Sequence, residues 1–71
     1  MTDQELERKI GESITNGELD PGLEGVRPTP RMVWKILGDF ALWISDLSDR
    51  PIEEVAAFRR RLLDRIELEE M

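Results

Sequence analysis

The 71-residue chain contains no cysteine and no histidine, and its 16 acidic side chains outnumber 10 basic ones for a net charge of −6. These counts exclude a disulfide framework, a thiolate or imidazole metal site, and catalysis by a thiol nucleophile or a histidine base. They also disfavour direct nucleic-acid binding and attraction to anionic lipid, because both carry the same sign of charge.

A domain of this size buries only about 60 % of the surface its unfolded chain exposes. The core is therefore small, and self-association or a partner would add to its stability. The longest apolar run, Phe40 to Ile44, is five residues, whereas a spanning helix needs about 20; no membrane segment is expected. The start, Met1-Thr2-Asp3-Gln4-Glu5, lacks the cationic and apolar stretches of a secretory leader, so the expected location is the cytoplasm.

Thr2 with Glu5 forms a capping box, which predicts a helix over about 3–15. Leu6, Ile10 and Ile14 recur every fourth residue on one stripe, Glu5 and Lys9 are spaced to pair, and Asn16-Gly17 is a stop signal. Only three stripe residues and an internal Gly11 make this the weakest predicted helix, with conditional docking. From Asn16 to Pro30 there are three glycines and three prolines in 15 residues, which predicts a loop over 16–29 that Leu19, Leu23 and Val26 can pin to the helices.

Thr29-Pro30 is an N-cap followed by proline at the first helical position. A second helix is expected over about 30–47, with Met32, Val33, Ile36, Leu37, Phe40, Trp43, Ile44 and Leu47 on one arc of about 140°. On that continuous helix Trp34 and Trp43 point in opposite directions. Pro51 with Glu53 and Glu54 starts a third helix over about 51–68, its apolar arc built from Ile52, Val55, Ala56, Leu62, Leu63 and Ile66 and flanked by Phe58. The expected fold class is all-α: a long antiparallel helical hairpin crossed by a shorter N-terminal helix, in a single domain with residues 69–71 as a frayed tail.

Four residues stand out as candidates for protein binding. Arg59 lies within the apolar arc of the third helix, where its charge must reach water, pair with Asp39, Asp46 or Asp49, or face a partner. Trp34 has small neighbours, Gly38, Ala41 and Ser45, so another helix could approach it; Leu42 extends that second apolar face, and Phe58 flanks the main one. A second set is acidic: Glu12, Glu18, Asp20 and Glu24 in the N-terminal half, and Glu67, Glu69 and Glu70 at the end.

Other chemistry finds little support. Asn16, Glu18 and Asp20 imitate a calcium loop, but its sixth and twelfth positions are Pro21 and Arg27, and no cofactor or metal is expected. No carboxylate has an obvious apolar pocket and no serine has an obvious activating base, so the chain is read as a non-enzyme. Arg59-Arg60-Arg61 spread around their helix, and the first turn of that helix is acidic, which argues against a recognition helix.

The expected role is a small acidic protein-binding module, an inhibitor, antiactivator or accessory subunit, in a homodimer or hetero-complex with another protein. One version is a nucleic-acid mimic that fills a basic groove, the physics used by phage anti-restriction and anti-CRISPR proteins. The alternative is a dimeric DNA-binding regulator or antitoxin, whose positive face would come from Arg27, Arg31, Lys35 and the arginines of the third helix.

Overall fold

In a computed structural model of the chain, which describes residues 1–70, every regular element is helical. Helix α1 spans Asp3–Thr15, α2 Pro30–Asp39, α3 Ala41–Ser48 and α4 Ile52–Glu69, with one 3-10 turn at Pro21–Leu23. Both threonine caps form. Thr2 Oγ1 accepts from Glu5 N at 3.2 Å and Thr29 Oγ1 accepts from Met32 N at 3.3 Å, each satisfying an N–H that has no partner within its helix. At the other end of α1, Gly17 takes φ 72° and its N–H donates to Ile14 O, a left-handed stop that glycine adopts without a Cβ penalty.

The expected second helix is two helices. Phe40 leaves helical geometry at φ −124° and ψ 38°, directly after Gly38 and Asp39, both weak helix formers. The interruption is one residue long. Phe40 N still donates to Ile36 O at 2.8 Å, and Ile44 N to Phe40 O at 3.0 Å. Phe40 itself moves from the expected core face to 39 % exposure. Trp34 and Trp43, opposite on a continuous helix, both end partly buried against the core, because the break reorients the second helix relative to the first. The single helix expected over about 30–47 is corrected accordingly to α2 and α3.

The core joins all four helices: Leu6, Ile10 and Ile14 of α1, Val33, Ile36 and Leu37 of α2, Ile44 of α3, and Val55, Phe58, Leu62 and Ile66 of α4. The weakly signalled α1 stripe is wholly inaccessible, each of its three residues at 0 % exposure. Gly11, counted as a defect from sequence, is buried where α1 meets Pro28, and a Cβ there would stand 3.1 Å from the proline Cγ. Removing the side chain permits the approach.

Leu19 and Leu23 pin the loop to the core as expected, whereas Val26 does not and is 36 % exposed. The loop is held there by backbone instead: Gly25 N donates to Thr15 O at 2.8 Å, and Thr15 Oγ1 donates to Val26 O at 3.1 Å. Of the tail, Glu69 is helical and Glu70 caps α4, with its carboxylate accepting two bonds from Arg31 at 2.7 and 2.8 Å. Met71 lies outside the described residues. Among the described residues, no helix is long and apolar enough to cross a membrane.

Candidate functional site

The four candidate binding residues separate into three environments. Trp34 and Arg59 meet each other. The Arg59 guanidinium lies 4.0 Å from the centroid of the Trp34 ring, and its Nε donates to the Trp34 carbonyl at 3.1 Å. This stacked, hydrogen-bonded geometry suits a planar guanidinium in a way an ammonium could not match. Gly38, one turn after Trp34, makes room for it: a Cβ there would fall 2.7 Å from the arginine Nη2. The small-residue gap beside Trp34 is thus filled by α4 of the same chain, and none of the three aspartates considered for Arg59 pairs with it.

Phe58 is core. At 3 % exposure it has no face to offer a partner, and its place among the docking candidates is withdrawn. Its ring packs between the apolar stripe and the Arg50 guanidinium, which sits 5.7 Å from the ring centroid. Leu42 differs from all three. It is 76 % exposed on α3, a helix whose opposite side buries Ile44 and Ser48.

The acidic candidates do not form one patch of free charge. Glu70 is taken by Arg31, Glu69 lies 4.0 Å from Arg65, and Glu12 lies 3.9 Å from Arg8. Asp20 caps the 3-10 turn by accepting from Gly22 N at 2.9 Å. Among the described residues Glu18, Glu24 and Glu67 have no ion-pair partner.

Sequence reasoning missed a ladder between α1 and α4. Asp3 Oδ2 accepts from Arg61 Nε at 3.0 Å, its Oδ1 accepts from Arg50 Nη1 at 2.8 Å, and Glu7 takes a fork from Arg65 at 2.6 and 3.1 Å. A step of four along α1 matches a step of four along α4, so the two helices run side by side in the same sense. Arg50 also donates to the Met1 carbonyl at 2.6 Å, fastening the chain start to the α3–α4 turn. No local spacing announces these contacts, because their partners are 47 to 58 residues apart.

The Arg61 hydrogen bond, assisted by Arg50 against a desolvation cost, holds the Asp3 carboxyl below its ordinary value of 3.8. A lowered carboxyl pKa adds stability that is complete above the unfolded value and disappears as pH falls through the folded one. Asp3→Asn is therefore expected to flatten the acid limb of a stability profile below about pH 4, while costing at most about 1 kcal/mol at neutral pH for a carboxylate this accessible. Thermal melts from pH 2 to 7 check it; identical acid limbs for both proteins would remove Asp3 from the acid response.

Chemically, the surface is suited to contact. An open groove of about 980 Å³ between α1 and the start of α2 mixes Glu5, Arg8 and Glu12 with Pro28 and Val33. Among the described residues, no three metal-ligating side chains converge. Compared with protein-family models, curated proteins and solved structures, the chain matches none.

Proposed function

We propose that this chain is a small non-enzymatic protein-binding module that acts by contact, as an inhibitor, antiactivator or accessory subunit. The observation that supports this reading is Leu42: a large apolar side chain, 76 % exposed, near the middle of the chain and on the outer side of a helix whose inner side is core. Phe40, two residues earlier at the α2–α3 break, is 39 % exposed. Covering such residues with a partner would remove their apolar surface from water, which is favourable.

The DNA-binding alternative has less to draw on. Of the basic residues it would need, Arg31, Arg60, Arg61 and Arg65 already have acidic partners within the chain, and Arg59 is stacked on Trp34. The test of the contact reading is retention of a partner from an extract of the source cells by the immobilised protein. Leu42→Ala should leave stability within about 0.5 kcal/mol, as for an exposed site, while weakening retention about tenfold, as for a residue at the centre of an interface. Retention of the same proteins by both forms would overturn the assignment.

A further inference from the structure

On the outer side of α3, Leu42 and Asp46 stand one turn apart at i and i+4, and Asp49 is the residue that ends the helix. All three are exposed. Asp39 and Phe40 precede them at the helix break and are exposed as well. Among the described residues, Asp39, Asp46 and Asp49 form no ion pair.

The only basic side chain between residues 39 and 54 is Arg50, and its charge is spent elsewhere. Its side chain is 16 % exposed and held by Asp3 and the Met1 carbonyl. Glu53 is exposed at the start of α4 as well, whereas Glu54 lies close enough to Arg61 to interact with its charge. Of the bases nearest this stretch on other elements, Arg31 is bound to Glu70, Arg59 is held over Trp34 beside Gly38, and Lys35 stands exposed one turn before Asp39.

From this juxtaposition, and resting on the contact reading above, we infer that the α3 face docks a protein surface of opposite character: apolar side chains bordered by lysine or arginine, as on a basic amphipathic helix. The apolar centre needs an apolar counterpart, and the three aspartates around it need cations. A second copy of this chain would bring the same negative face against itself, and nucleic acid or an anionic membrane would be repelled. Rim charges of this kind set partner choice and salt dependence more than total affinity.

The test uses the full chain and two synthetic helical peptides, one of leucine and lysine, the other of leucine and glutamate. The lysine peptide should shift backbone amide resonances of residues 39–49, and its affinity should fall steeply as salt is raised. The triple variant Asp39→Asn, Asp46→Asn, Asp49→Asn should bind about tenfold more weakly, as expected for three rim ion pairs. Asparagine is chosen because Asp49 occupies a left-handed conformation, φ 55°, that asparagine tolerates.

Glu18→Gln, Glu24→Gln, Glu67→Gln removes the same charge elsewhere and should stay within about twofold of the parent, since distant exposed charges are screened. Far-UV helicity verifies that both variants fold. Equal losses in the two triple variants, shifts mapping away from α3, or equal binding of the glutamate peptide would each overturn the inference. If retention of the cellular partner depends on Leu42 but ignores the three aspartates, the contact reading stands and the basic partner falls. If Leu42→Ala retains the partner fully, the contact reading itself fails.

Discussion

Phe58→Ala is expected to cost about 3–5 kcal/mol, the range for truncating a buried phenylalanine. A domain of this size has only about 4–11 kcal/mol of stability in total. At 3 % exposure the ring belongs to the core and lies under the Arg50 guanidinium, so its loss opens a cavity and leaves a largely buried cation less well packed. Urea unfolding followed by far-UV circular dichroism should show the midpoint displaced far to lower denaturant, or no folded baseline at all. Leu42→Ala, the matched control, should leave that midpoint nearly unchanged, because little water-excluding contact is lost. A Phe58→Ala protein as stable as its parent would mean that the ring is not in the core.

Ile10→Ala is the second large effect, at about 2–5 kcal/mol, reduced by a few tenths because alanine is the better helix former. Here the question is whether α1 belongs to the folding unit. Leu6, Ile10 and Ile14 are at 0 % exposure, and the Asp3 and Glu7 pairs fasten the same helix to α4. Loss of Ile10 should therefore lower the midpoint of the whole transition, reported equally by helicity and by tryptophan fluorescence from α2 and α3. A conditionally docked helix predicts something else: a partial loss of helicity with the tryptophan transition unmoved. That outcome would restore the view of α1 as an optional appendage.

Local signals were legible wherever the physics is local. The caps at Thr2 and Thr29, the stop at Asn16-Gly17 and the proline start of the last helix all depend on groups within a few residues, and each stands within one residue of where its spacing put it. The break at Phe40 was not legible, since skipping one residue leaves the apolar period almost unchanged while turning the axis. Nor was the meaning of Gly38. The gap beside Trp34 was visible in sequence, but a side chain from α4, 25 residues away, fills it, and chain distance of that kind leaves no periodic trace. The candidate site divided for the same reason: three of its four residues satisfy one another or the core, and only Leu42 keeps its surface.

Composition and local signals alone specify an all-helical, acidic chain without cysteine or histidine chemistry, and the ends of most of its helices. These follow from short-range hydrogen bonding, periodicity and composition, which need no knowledge of what lies across the fold. Which charges cancel and which remain is set by how the helices pack. Whether Arg50 balances Asp49 next to it or reaches Asp3 47 residues away depends on where packing sets the helix axes. That choice leaves Asp49, among the described residues, without an ion pair.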